Sequence, residues 1–232
     1  FTENKSQISK KVFNSLPNKT FRADLNKSTI SLISKIKEGS ILLESFCYVV
    51  IGAVPHNSKT GASKDRLISN ICTDNIGKKY IEGKDFNRYI INWNTKFIDY
   101  IPSEMHRPKF PELFENEKLL VRNISTKEGL MATHDKDHFY VNDTMSVVIP
   151  WHKLIGVNQR GVKANIEDIK LSNKVEIKYL LSLINSKLIN YYFKLILSSN
   201  LHVYPEAIRN LPMHMNERKN QQTKMRLVFY HD

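Results

Sequence analysis

The sequence predicts an α+β domain: a central, mostly antiparallel β region with long loops, flanked by an N-terminal helix and a long C-terminal helix. Short β-branched and aromatic runs are concentrated in the middle of the chain, whereas apolar residues recur at helical spacing near both ends. The 232 residues include 41% hydrophobic residues, which is enough to bury the core of one domain. We therefore predict one folded domain at 28–215, a linker or the tail of a preceding domain at 1–27, and a loop or tail at 216–232.

The first predicted element is a short amphipathic helix that begins near Ser28 and ends before Gly39. Serine is a good helix cap, glycine often follows the last turn, and apolar residues recur between the two at helical spacing. The run 46–51 is β-branched and aromatic, so it predicts a buried strand. Glycine, proline and polar residues follow it, and we expect a long basic loop from His56 to Arg66.

Further strands are predicted at short apolar runs, which cover residues 88–93, 96–100, 119–124, 130–133, 139–141 and 145–149. The polar residues 134–137 separate two of these runs and predict a hairpin turn. Near the C-terminus, Asn173 and Glu176 have the spacing of a capping box, and apolar residues then form one stripe. This pattern predicts a single long helix at 174–197.

The charge balance indicates a polyanionic partner. Lys and Arg number 35 against 23 Asp and Glu, which gives a formal net charge of +12. A basic surface gains binding free energy when it releases the counterions condensed on nucleic acid. Compositional drift toward lysine is the alternative, but such drift would raise glutamate as well, and glutamate is not raised here.

Several other protein classes fit the sequence poorly. The longest apolar stretch, 46–54, is too short to span a bilayer, and no segment has the pattern of a signal peptide, so we expect a cytoplasmic protein without a membrane partner. Cys47 and Cys72 form no Cys-x-x-Cys pair, which argues against a zinc ribbon and fits a reducing compartment. Because the chain begins at Phe1 rather than Met, we expect a fragment of a longer protein.

A set of short motifs follows one order along about residues 40–215. The motifs lie at 43–46, 51–52, 60–65, 80–89, 107–110, 118–122, 132–142 and 179–188. They include a Gly-Lys-Asp-x-x-Arg-Tyr element at Gly83–Tyr89. In this ordered set the chain resembles the TaqI-like C-terminal specificity domain of type II restriction-modification enzymes.

The resemblance implies a DNA target-recognition domain at 28–215 that reads a short double-stranded sequence for an adenine-N6 methyltransferase, often fused to an endonuclease. The chain contains neither the Asn-Pro-Pro-Tyr motif of such methyltransferases nor a glycine-rich loop for S-adenosylmethionine. We therefore expect no catalytic residue, metal or cofactor in this chain, whereas S-adenosylmethionine and Mg²⁺ would belong to the parent enzyme. The expected partners are double-stranded DNA and covalently linked methyltransferase or nuclease domains.

Polar and basic residues of the loops and turns are the candidate DNA contacts. Lys and Arg reach phosphates and the acceptors of guanine, while Asn can read adenine. We expect contacts from the basic loop, from two later basic segments and from the tip of the 134–137 hairpin. The predicted residues are Asn57, Lys59, Lys64, Arg66, Lys84, Arg88, Arg107, Lys109, His134, Lys136 and Tyr140. A solvated surface that makes no DNA contact is the alternative.

Two neighbours of these residues have competing interpretations. Trp93 lies beside apolar residues, so a place in the core is favoured over base stacking. Arg122 lies in an apolar strand, where it either faces the DNA or pairs with a buried carboxylate.

Alternative functions are a metal-dependent nuclease, half of a type I specificity subunit, and an interaction scaffold. In the nuclease, Asp74 and Glu82 would hold Mg²⁺ and Lys84 would stabilise the developing charge. A metal site at 134–138 is disfavoured, because no second ligand cluster has the required spacing.

The predicted long helix has apolar residues outside its main stripe. Ile189, Tyr191 and Phe193 lie on this second face. Surplus apolar surface of this kind favours burial on two sides, so we expect the helix to contact another domain there.

Overall fold

The computed structural model describes residues 8–10, 25–57, 59–198 and 200–215. The predicted α+β class is confirmed, with antiparallel sheets and helices at both ends. The helices are α1 Lys27–Lys37, α2 Glu112–Glu115, α3 Ile166–Ser172, α4 Ile177–Ile184, α5 Lys187–Tyr192 and α6 Pro205–Arg209. The strands are β1 Ile41–Leu42, β2 Cys47–Ile51, β3 Ile68–Ser69, β4 Gly77–Ile81, β5 Phe86–Asn87, β6 Ile90–Ile91, β7 Phe97–Asp99, β8 Lys118–Arg122, β9 Ala132–Asp135, β10 Tyr140–Val141, β11 Met145–Pro150 and β12 Pro212–Met213.

Two four-stranded sheets form the body of the described chain. The first has the order β2-β11-β8-β9, and all its neighbours are antiparallel. The second has the order β10-β4-β7-β3, in which only the β10–β4 pair is parallel. Two small antiparallel pairs, β1–β12 and β5–β6, complete the strands described.

The first sheet separates two hydrophobic cores. Successive side chains of a strand point to opposite faces, so β8 contributes Leu119 and Val121 to one core and Leu120 to the other. The core that contains Leu119 and Val121 also contains residues of α4 and α5, and the core that contains Leu120 includes the aromatic residues of the second sheet. Strand β11 is buried along its whole length because both its faces are covered.

The N-terminal helix forms close to its predicted position. It begins one residue earlier than Ser28, because the Asn26 side chain accepts a hydrogen bond from Thr29 N and the Thr29 side chain accepts one from Asn26 N. The helix ends at Lys37, and Gly39 adopts a φ of 67°, which is the left-handed conformation expected after a helix.

The predicted single helix at 174–197 is divided in the structure. It consists of α4, α5 and a π-helical turn, Phe193–Leu197. Asn185 ends α4, and the Ser186 hydroxyl accepts a hydrogen bond from Ile189 N to start α5. The predicted capping box does not form, since Asn173 ends α3 and the Glu176 side chain makes no capping bond.

The second apolar face of this segment is mostly used within the chain. Ile189 and Phe193 are buried in the same core as α4, whereas Tyr191 is exposed. The surplus surface that suggested an interdomain contact is therefore much smaller than the sequence pattern indicated.

The predicted hairpin at 134–137 is wrong. Strand β9 pairs with β8 in the first sheet, and β10 pairs in parallel with β4 in the second. The turn between them passes from one sheet to the other, and the buried Asp135 carboxylate holds it by accepting hydrogen bonds from Asp137 N and Phe139 N. A true hairpin lies elsewhere, at β5–β6, with Arg88 and Tyr89 in its turn.

Candidate nucleic-acid interface

Lysines from separate segments converge on one carboxylate at the end of β4. Lys64 Nζ forms an ion pair with Glu82 Oε1, while Lys84 and Lys96 approach Oε2 at 3.4 and 3.8 Å. Lys96 also lies 3.5 Å from Asp85 Oδ2. Burial would raise the pKa of Glu82, but the Lys64 hydrogen bond and the lysine charges outweigh it and hold that pKa below its usual value. We call Lys64, Lys84, Lys96 and Glu82 the lysine cluster.

Local hydrogen bonds fix the backbone under the lysine cluster. Ser63 caps the 3-10 helical turn that carries Lys64, because its hydroxyl accepts a bond from Asp65 N. The turn Gly83–Asp85 is closed by the Asp85 carboxylate, which accepts from Glu82 N at 2.9 Å. Gly83 N donates to Thr144 Oγ1 at 2.8 Å and attaches the turn to the start of β11. The lysines therefore extend from a well-supported surface.

A second group of contacts surrounds Glu104. Arg66 donates to the Glu104 carboxylate and to its carbonyl oxygen at 2.5 and 2.9 Å. Asn57 Nδ2 donates to the same carbonyl at 3.2 Å, while its Oδ1 accepts from Lys59 N and Thr60 N. The Asn57 amide thus organises the basic loop, and these bonds occupy the groups that would read adenine.

The segment after Glu104 adds further positive charge. Arg107 is exposed and forms a β-bridge with Val54, just before the basic loop. Burial, and then the neighbouring charge of Arg107, lower the pKa of Lys109. The rings of His56 and His106 stack with centroids 6.0 Å apart and join this segment to the loop.

These contacts link most of the predicted basic residues into one surface. Lys64 and Arg66 share a turn, and their carboxylate partners connect that turn to the C-terminal end of β4 and to the segment 104–109. We call this the basic loop surface; it comprises Lys59, Lys64, Arg66, Lys84, Lys96, Arg107 and Lys109.

The other predicted DNA contacts lie on different elements. Arg88 lies in the β5–β6 turn and donates to Leu130 O at 2.9 Å. On β9, His134 Nε2 lies 2.8 Å from Glu117 Oε1. Lys136 is exposed in the turn between the two sheets. Tyr140 is only 2% exposed, and its hydroxyl donates to Glu115 at 2.9 Å, so its ring is unavailable to DNA in this structure.

A protein-family model matches the central part of the chain. Residues 78–165 match the model of the TaqI-like C-terminal specificity domain. This segment is similar to that family, and the match covers less than half of the chain. A solved structure, the HsdS subunit from Thermoanaerobacter tengcongensis, aligns with a TM-score of 0.41 and 10% identity over 80% of this chain. This chain spans only 39% of the length of that subunit. Comparison with curated proteins finds no match.

The segment that matches the family model contains most of the basic loop surface. Lys84, Lys96, Arg107 and Lys109 lie within residues 78–165, and the basic loop precedes that range. Among the described residues, no helix combines the length and apolar character that a bilayer crossing requires.

Sequence reasoning missed Lys96 and the central position of Glu82 among the lysines. Lys96 is adjacent to an apolar run, and nothing in its spacing indicates that it lies beside β4, where its carbonyl oxygen accepts from Tyr80 N. Trp93 is half-buried at the margin of a core, where it packs edge-on against Phe97 and Phe139 and donates to Lys96 O, so its packing favours the core interpretation. Arg122 fits neither interpretation, because it donates to Phe86 O at 2.5 Å and lies over the Phe86 ring.

The described part of the chain does not assemble the alternative nuclease site. Asp74 precedes β4 and Glu82 follows it, so the strand alone separates them by about 13 Å at about 3.3 Å per residue. Both Glu82 oxygens face lysines. In the described ranges, His, Cys, Asp and Glu form no group of three or more that could hold a metal ion.

Proposed function

We propose that this chain recognises a short sequence in double-stranded DNA as the specificity domain of a restriction-modification enzyme, and that it performs no covalent chemistry itself. The observation that carries this proposal is the basic loop surface, which the specificity-domain segment and the adjoining loop build together. Loops carried by rigid sheets commonly form such recognition surfaces, because the scaffold fixes their position.

The geometry suggests a division of work on DNA. Lys59, Lys84 and Arg107 are exposed, so they can reach phosphates and set the position of the domain on the duplex. Arg66 uses two of its five N–H groups to bind Glu104, which fixes the guanidinium, and its other N–H groups would read the O6 and N7 acceptors of guanine. Asn57 contributes indirectly by shaping the loop.

We further propose a parent protein of type II, in which this domain directs an adenine-N6 methyltransferase and, where one is fused, an endonuclease. S-adenosylmethionine and Mg²⁺ would then be cofactors of the linked domains rather than of this chain. A DNA-directed role of this kind places the protein in the cytoplasm. One half of a type I specificity subunit would use the same surface, and the upstream reading frame distinguishes the two parents.

Selection from a random duplex library tests the proposal. We expect repeated binding and amplification to enrich one short motif, and the enriched duplex to bind at least about 10³-fold more tightly than a scrambled duplex. Both affinities should fall steeply between about 50 and 200 mM salt, because counterion release contributes to both. Salt-dependent binding without an enriched motif would contradict sequence recognition, and binding that ignores salt would contradict phosphate contact.

A further inference from the structure

The lysine cluster unites charges that the sequence keeps apart. Lys64 lies in the 3-10 turn at the end of the basic loop, Lys84 follows β4, and Lys96 precedes β7. Three ammonium groups repel one another unless an anion lies between them. In this structure the anion is the side chain of Glu82, which accepts from Lys64 and faces the other two lysines.

We infer that the lysine cluster is a phosphodiester-binding site. Within it, Glu82 competes with phosphates for the lysines and so weakens the binding of the domain to non-target DNA. A carboxylate and a phosphate bind ammonium groups through the same charge-assisted hydrogen bonds, so they compete for the same lysines. Counted with Asp85, the cluster contains three positive and two negative charges, which leaves one positive charge. This inference rests on the proposed function and adds a residue that controls its selectivity.

The burial of Glu82 and the exposure of the lysines indicate that the lysines, and not the carboxylate, move when DNA binds. Glu82 is only 12% exposed, and its Oε1 also faces Tyr80 Oη and Asn142 Nδ2, both at 3.3 Å. Lys84 is 72% exposed and Lys64 is 39% exposed, so their ammonium groups can turn outward to a phosphate. Glu82 therefore stays in place while its partners move to DNA.

Non-target and target duplexes should respond differently to loss of the carboxylate. In the wild-type protein on non-target DNA, few other contacts compensate for breaking the Glu82 ion pairs, so the lysines stay paired with Glu82. On the target, base contacts hold the domain closely and the lysines transfer to phosphates. Glu82 thus acts as a positioning residue that raises the ratio of specific to non-specific affinity.

The decisive comparison is Glu82→Gln against Glu167→Gln. Both remove one negative charge, but Glu167 lies on α3 and pairs with Lys170. Glutamine keeps an oxygen that accepts from Tyr80 and Asn142. We expect Glu82→Gln to tighten binding to a scrambled duplex about tenfold and to steepen its log–log salt slope by about 0.9, as for one added phosphate contact. The enriched duplex should gain less, and Glu167→Gln should change neither measure.

A second pair of variants tests the site if Glu82→Gln fails to fold. Lys84→Met and Lys170→Met remove similarly exposed lysines, at 72% and 64% exposure, from the lysine cluster and from α3. We expect only Lys84→Met to make the salt slope shallower on the enriched duplex, by about 0.9. Equal salt slopes for Lys84→Met and Lys170→Met, or equal DNA binding by the two glutamine variants, would overturn the inference. The proposed function would still stand if the wild-type chain bound the enriched duplex selectively. Absence of duplex binding by the wild-type chain would overturn the proposed function itself.

Discussion

At the scale of single residues, a fully buried ion pair constrains the described chain. Lys118 Nζ lies 2.5 Å from Asp135 Oδ2, and both side chains are inaccessible to solvent. Lys118 also donates to Phe114 O, while Asp135 accepts from the two backbone N–H groups of the following turn. Burial lowers the pKa of Lys118, and the Asp135 charge opposes that effect. The pair joins β8 to β9 and fixes the passage from one sheet to the other.

We expect Lys118→Met to destabilise the domain by about 3–5 kcal/mol, because it leaves a buried carboxylate without its counter-charge. Urea unfolding followed by tryptophan fluorescence measures the loss. Lys170→Met is the control, since its partner Glu167 is exposed and such surface pairs contribute about 0–1 kcal/mol. A free energy of unfolding for Lys118→Met within about 0.5 kcal/mol of the control would show that the pair does not hold the two strands.

At the scale of elements, side-chain amides occupy the outer edge of the first sheet. Asn185 Oδ1 accepts from Ala132 N at 3.0 Å and its Nδ2 donates to Ala132 O at 2.9 Å, as a neighbouring strand would. Asn190 Oδ1 accepts from Leu130 N, and Gly129 leaves room for it, because a Cβ there would lie 2.3 Å from that oxygen. Unpaired strand edges invite pairing with other chains, and this arrangement blocks part of the β9 edge.

Asn185→Ala should therefore lower the free energy of unfolding by more than the small number of atoms removed suggests. We expect a loss of about 2 kcal/mol in the free energy of unfolding, since two buried hydrogen bonds disappear and each contributes about 1 kcal/mol. Asn173→Ala serves as the control, because Asn173 is exposed at the end of α3 and should change stability by less than about 0.5 kcal/mol. Equal stabilities of the two variants would mean that solvent replaces the Asn185 contacts without cost.

The same contacts explain which elements the sequence could predict. The N-terminal helix depends on a local cap and on apolar spacing, and both are visible in the sequence. The break between α4 and α5 depends on a bond from Asn185 to a strand distant in the chain, so helical periodicity alone missed it. The hairpin prediction failed for a similar reason: a polar turn between apolar runs does not reveal that Asp135 pairs with Lys118 and sends the chain to another sheet.

At the scale of the whole molecule, composition predicted a polyanionic partner but not where the charge lies. The basic loop and the 104–109 segment were identified as basic because each is locally rich in Lys and Arg. Their union into one surface depends on Glu82 and Glu104, whose ion pairs join segments that are far apart in the sequence. Tyr140 shows the converse: a residue suited to DNA contact in the sequence is buried beside Phe114 and Tyr100.

Two double variants separate the position of charge from its amount. Lys59→Met with Arg107→Met alters the basic loop surface, whereas Lys170→Met with Lys178→Met alters exposed residues of α3 and α4. Each pair lowers the formal net charge of +12 by the same two units. We expect the first pair to make the salt slope of DNA binding shallower by about 1.8, because two phosphate contacts are lost, and the second pair to leave it nearly unchanged. Fluorescence anisotropy with a labelled duplex at several salt concentrations gives both slopes. If the two pairs shifted the slope equally, net charge and not the basic loop surface would account for the attraction to DNA.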